Sequence, residues 1–195
     1  IKLTQYVKFC YYTFSKFMEV IVKKILFSIF LLAGVVSSSF GADRMYGKGQ
    51  GFIGAEAGFG GIVDFNVGIV GGYQYYFQED WQFAGFRHGI RGVGNISFGK
   101  HKGGFNNTNY SVMAIGAGAD WTIEFTPNSR YNWGAFAGLG LVYANGLNED
   151  SWYPLKSVYV DGHIGGSLNI DNTHKLEVGL GSGLSLISFR YTYMF

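Results

Sequence analysis

The sequence predicts an all-β chain: eight antiparallel strands closed in order into an up-and-down transmembrane β-barrel of the outer-membrane type, preceded by a cleavable signal peptide. Three observations predict it. Alternation of large apolar residues with polar or tiny ones returns eight times along the chain. The opposing set, rich in Gly, Ser and Asn, is too weakly polar to coat the exterior of an aqueous barrel or sandwich, so the apolar face must meet lipid. Composition agrees: 31 glycines with only 2 prolines and no three-residue period describe turns and small-residue strands, while 18% aromatic and 14% charged residues exclude disorder.

The amino-terminal segment sets the compartment. Lys23 and Lys24 precede "ILFSIFLLAGVV" and the small-residue run "SSSFGA", the three parts of a secretory signal peptide. The apolar run is too short for an ordinary spanning helix. Met18 is a natural start, so residues 1–17 read as upstream sequence or an extended n-region, 18–41 as the signal peptide and 42–195 as the barrel. Cleavage after Gly41 puts Ser39 and Gly41 at the small-residue positions; cleavage after Ala42 would put Phe40 there and is the alternative. From Asp43 onward ten Lys and Arg face twelve Asp and Glu, a net charge of −2. No basic field for nucleic acid exists, and no cysteine follows Cys10, which excludes disulfides, thiolate catalysis and a lipidated cysteine from the mature region.

The strands follow in order. In the first, Ile53, Ala55, Ala57 and Phe59 oppose Gly54, Glu56 and Gly58. In the second, Val63, Phe65, Val67, Ile69, Gly71, Tyr73, Tyr75 and Phe77 oppose Asp64, Asn66, Gly68, Gly72 and Gln74. Ile90, Ile96 and Phe98 oppose Arg91, Asn95 and Ser97, after a slip of phase between Trp81 and Phe86 that predicts a bulge or a longer turn. Met113, Ile115, Trp121, Ile123 and Phe125 oppose Asp120, Thr122 and Glu124; Trp133, Ala135, Leu139, Leu141 and Tyr143 oppose Asn132, Gly134, Gly138 and Gly140. Val158, Val160, Ile164, Leu168 and Ile170 oppose Tyr159, Asp161, His163, Ser167 and Asn169. Leu176, Val178 and Leu180 oppose Lys175, Glu177 and Gly179, and the closing stretch sets Phe189, Tyr191, Tyr193 and Phe195 against Ser188, Arg190, Thr192 and Met194. An even strand number puts both ends of the barrel on one side. Aromatics gather at strand ends, Tyr73, Tyr75, Tyr76, Phe77 and Trp81 at one turn and Trp121, Phe125, Tyr131 and Trp133 at another, as interfacial girdles do. With those turns at the periplasmic rim, 100–109 and 145–155 become the outward loops.

On these residues the chain resembles known proteins. "YTYMF" resembles the carboxy-terminal aromatic signal read by the barrel-assembly machinery, carried by Tyr191, Tyr193 and Phe195. "GQGFIGAEAGFG", "GGYQYYFQEDWQFAGFRHGIRGVGNISFG", "IGAGADWTIEF" and "WGAFAGLGLVYANG" together resemble the Helicobacter-type outer-membrane protein family. The resemblance implies a location in the outer membrane of a Gram-negative cell. The large adhesion domains of bigger relatives have no counterpart between the expected leader and Gln50.

Inside the barrel the parity collects Glu56, Asp64, Arg91, Asp120, Glu124, Asp161, His163, Lys175, Glu177 and Arg190. Eight strands enclose a space that side chains fill, so these charges are expected to pair into a plug. A narrow small-solute pore past Arg91 and Arg190 is the alternative. A lipid-modifying enzyme would need His88, His163 or His174 beside a nucleophile, and no companion motif stands near them. Asp161 with His163, or Glu149 with Asp150, falls short of the three or four ligands of a metal site. No metal, cofactor or catalytic residue is implied; the expected partners are membrane lipid, the assembly machinery and a host or matrix ligand at the outer loops, for a monomer.

Overall fold

The computed structural model describes residues 46–195 except 83, 104–107 and 148–156. The expected signal peptide and its upstream segment lie outside the described residues. Eight strands form one closed antiparallel barrel in which each pairs with its sequence neighbours: β1 (Gly49–Phe59), β2 (Phe65–Tyr76), β3 (Arg87–Gly103), β4 (Thr108–Glu124), β5 (Tyr131–Gly146), β6 (Ser157–Ile170), β7 (His174–Gly181) and β8 (Ile187–Met194). Closure is made by β1 on β8, in register from Phe52 opposite Met194 to Phe59 opposite Ile187.

Alternation sets which side each residue takes, and the result is inverted relative to a soluble barrel. Leu139 is 67% exposed, Val160 66% and Ile164 60% on the outer wall, while Arg91, Lys175, Gln74 and Thr192 are buried within. On β2 the outward side chains run from Phe65 to Tyr75, ten residue steps apart. At a rise of about 3.3 Å per residue and a tilt of about 40° that spans about 25 Å, the height of an outer-membrane apolar band. Aromatic contacts mark both edges: Phe59 lies 5.2 Å from Phe65 and 6.2 Å from Phe189 at one end, and Phe77 lies 5.9 Å from Trp81 and Phe86 5.4 Å from Phe125 at the other.

The turns account for the places where simple parity fails. Between β2 and β3 the chain makes a longer turn, with a 3-10 segment at Glu79–Trp81 and left-handed Ala84 and Gly85, and this absorbs the slip of phase. Asp171 and Asn172, both at φ 54°, form the tight β6–β7 turn, a conformation their short polar side chains tolerate. Between β1 and β2, left-handed Gly60 and Gly61 turn the chain so that Val63 is buried and Asp64 exposed. That reverses the expected faces of both residues, because the strand begins only at Phe65. Tyr76 is also corrected: it is fully buried and points inward, not into the girdle. In the outward segment 100–109, residues 100–103 belong to β3 and 108–109 to β4, and Asn145 and Gly146 belong to β5; expectations for 104–107 and 148–156 fall outside the described residues.

Wall height is uneven. β3 and β4 have 17 residues each and β5 has 16, whereas β7 and β8 have 8. At the mouth opposite the chain termini, the turns flanking the low wall fold inward, and Val63 and Leu184 pack on Val112 and Ala114 of β4 and Val142 and Ala144 of β5. The interior is therefore not uniformly polar: this apolar cap closes one mouth, and Phe52, Val70 and Met194 form a second apolar cluster lower down.

Leu139→Lys, in the middle of the outer band of β5, is expected to lower unfolding stability in lipid by about 2–4 kcal/mol. Urea titration in phospholipid vesicles measures it, and an unchanged midpoint would contradict a lipid-facing wall.

Candidate functional site: the closed lumen

Alternation on β3 aims Arg91 inward at mid-height, and no water-filled bore is left for it to hang in. Its Nε and Nη2 donate to Asp120 Oδ2 on the neighbouring β4 at 2.9 and 2.5 Å, and its Nη1 donates to Glu177 Oε1 at 2.6 Å. In an eight-strand cycle β7 is the strand opposite β3, so the contact with Glu177 spans the bore. The three side chains are at most 1% exposed. Phe52 from β1 and Phe136 from β5, another opposed pair, bring their rings to 5.7 and 5.3 Å from the same guanidinium. Cation and rings together form a crossbar over the whole section.

Above the crossbar the charges continue in a ring. Arg190 pairs with Glu56 at 3.1 Å and Glu177 at 3.5 Å, and Asn95 donates to the other oxygen of Glu56. His163 contacts Asp120 Oδ1 through Nε2 at 2.8 Å and Asp161 through Nδ1 at 3.1 Å. Gly138 makes room for this: a Cβ there would lie 2.1 Å from Asp120 Oδ1 and 2.8 Å from His163 Nε2.

Below the crossbar a second cluster surrounds Glu124. Arg87 donates to its Oε2 from Nε at 2.7 Å and from Nη2, Asn132 donates at 2.6 Å, and the Tyr76 hydroxyl donates to Oε1 at 2.9 Å. Arg87 also lies 4.4 Å above the Tyr76 ring. Lys175 Nζ is 4.0 Å from Glu124 and donates to Gln74, which donates to Thr122. Arg87, Tyr76, Glu124, Asn132, Lys175 and Gln74 are each at most 2% exposed.

Nine of the ten expected lumen charges are thus brought together: Glu56, Arg91, Asp120, Glu124, Asp161, His163, Lys175, Glu177 and Arg190. Asp64 is not among them; it lies exposed in the β1–β2 turn, where its backbone N–H donates to the Lys100 carbonyl. Sequence reasoning missed Arg87 and Tyr76. Arg87 shares the parity of Arg91 and could have been found by extending that strand back two turns of the pleat; Tyr76 shares the parity of Gln74. Among the other histidines, His88 faces outward and stacks on Trp121 at 5.5 Å, and His174 contacts the Tyr191 hydroxyl at 2.8 Å. Tyr191 and Phe195 are exposed on the outer wall, and Phe195 is tied to Gly51 by backbone bonds of 2.8 and 2.9 Å. No cluster of three or more potential metal ligands occurs among the described residues.

No protein-family model matches the chain, and no curated protein matches it. Among solved structures, that of the outer membrane enzyme PagL is similar over 73% of this chain and 98% of its own, at 15% identity and a TM-score of 0.47. The Yersinia pestis outer membrane protein Ail, in a phospholipid bilayer nanodisc, is similar over 76% of this chain and 100% of its own, at 12% identity and a TM-score of 0.37.

Arg91→Ala would leave Asp120 and Glu177 buried without their shared cation. The expected cost is about 3–5 kcal/mol, read by denaturant titration; a cost under about 1 kcal/mol would show that the crossbar is not what holds these carboxylates.

Proposed function

We propose that this chain is a monomeric outer-membrane barrel of a Gram-negative cell, shut in its resting state, that acts through its wall and outer rim. Its role is envelope integrity or contact with a host or matrix ligand. The observation that carries the reading is the crossbar, in which one guanidinium holds carboxylates from adjacent and opposite strands and two phenyl rings fill the remaining section. Eight strands leave no second path around such a group. An apolar band about 25 Å high, edged by aromatics, supports the outer-membrane location, as does the resemblance to the Helicobacter-type family. Tyr191, Tyr193 and Phe195 are the residues we assign to recognition by the assembly machinery.

The same geometry argues against catalysis at His163. Both ring nitrogens contact carboxylates, so neither is left to take a proton from a hydroxyl nucleophile. A small-solute pore is the second reading, and the small cavities above the crossbar favour it.

Planar-bilayer recording on the reconstituted protein separates the two. Silence from the wild type is expected. Steady single-channel steps whose size changes in Arg91→Ala would overturn the shut barrel and put Arg91 in the path of a pore.

A further inference from the structure

The lumen changes character with height. Arg91, Asp120 and Glu177 are at most 1% exposed in the crossbar, and Val63 and Val112 are 1% exposed in the cap. Between these dry layers Asp161 is 25%, His163 15% and Arg190 13% exposed. Two neighbouring cavities, one of about 50 Å³ and one of about 30 Å³, are both lined by Asn95, Asp161, His163 and Arg190, and His163 also borders an open groove beside Gly138, Leu139 and Gly162. A water needs about 10–15 Å³ of such space, so the chamber takes several. It also needs them: Arg190 Nε is buried without a hydrogen bond to any described residue, and Arg190 Nη1 and Glu177 Oε2 meet only each other, at 3.5 Å, a state that is costly unless water completes the bonding.

Among the described residues, the pair of inward-folded turns 60–64 and 182–186 separates this chamber from the mouth. They are joined to each other: Val63 N–H donates to the Leu184 carbonyl, Leu186 N–H to the carbonyls of Phe59 and Gly60, and Asn66 Nδ2 to Ser185 Oγ at 2.7 Å. Gly61 permits the close pass: at φ 95° it sits where a Cβ would lie 2.9–3.1 Å from three backbone atoms of the other turn. The grip across the mouth is different in kind. Val63 and Leu184 hold β4 and β5 through apolar contact, which is non-directional, and among the described residues hydrogen bonds to the wall stand only at the two edges, from Asp64 N–H to the Lys100 carbonyl and between Ser182 and Gly162.

We propose that the two joined turns are a lid, and that its displacement opens the hydrated chamber to small water-soluble molecules, which then reach Arg190, His163 and Asp161 while the crossbar beneath stays shut. The proposal rests on the closed crossbar for its floor, but its test reads access and not conduction, so bilayer currents and lid opening fail independently.

The barrel region has no cysteine, so a single thiol reports access. In the full chain carrying Cys10→Ser, Ser188→Cys places that thiol on the chamber wall, Ser129→Cys on an exposed turn and Thr122→Cys below the crossbar. Each is folded in detergent micelles, where the reagent reaches both ends of the barrel, and reacted with a small cationic methanethiosulfonate, with the lid intact, with Leu184→Gly, and with the milder Val63→Ala. The expected result is at least a tenfold rise in rate at position 188 when either lid residue is shortened, with position 129 fast throughout and position 122 slow throughout. Equal rates at 188 with and without the lid substitutions would overturn the proposal. So would a parallel rise at 122, which would mean that the barrel as a whole had loosened.

Discussion

The interior depends on one side chain long enough to cross it. An eight-stranded barrel encloses a bore that side chains can bridge, and Arg91 does so while satisfying a carboxylate on each side of its own strand's axis, Asp120 beside it and Glu177 opposite. Three further charged or polar groups, His163, Arg190 and Glu56, are placed by that choice. Asp120 has one oxygen left for His163, Glu177 has one left for Arg190, and Arg190 reaches Glu56. A lysine could not replace it, since a single ammonium lacks the fork that serves two partners on different strands.

The wall and the interior constrain one another. Lipid on the outside removes the usual driving force for burying apolar residues within, so the inward faces are free to be polar, provided that every polar group finds a partner. The barrel meets this condition by layers. Glu124 organises the lower end with Arg87, Asn132 and Tyr76, the crossbar closes the middle, and the cap of Val63 and Leu184 closes the far mouth. The stretch under the cap leaves Arg190 Nε to water, as the lower end leaves Asn169 Oδ1, and under the cap glycines at 116, 118 and 140 thin the wall lining.

Faces were legible in the sequence wherever a strand was continuous, because a period of two depends only on the pleat. Nine charges followed from that alone. It failed at Val63 and Asp64 because parity was carried through a turn whose two left-handed glycines rotate the chain, a rotation that no alternation pattern encodes. Tyr76 was misplaced for a different reason. Flanked by Tyr75 and Phe77 it looks like part of an aromatic girdle, and only Glu124, two strands away, explains its burial. The same limit applies to pairing in general: Arg91 opposite Asp120 is a matter of hairpin register, whereas Arg91 with Glu177 exists only once the sheet has closed.

Closure is also the best account of why the charges are there. Buried ion pairs seldom add stability over an apolar filling of equal volume, so the network is poorly explained as a source of strength. Its placement suggests specificity instead. Glu56 stands directly opposite Arg190 at the β1–β8 seam, and Arg190 stands opposite Glu177 on β7. A slip of one residue at that seam would turn Glu56 or Arg190 out toward lipid, together with every side chain of its strand. Neighbouring hairpins have short turns to fix their register, but the seam joins strands from the two ends of the barrel and has none. A charge pair that is tolerable only when both members face inward fixes that register energetically, and the long reach of Arg91 extends the same constraint across the bore.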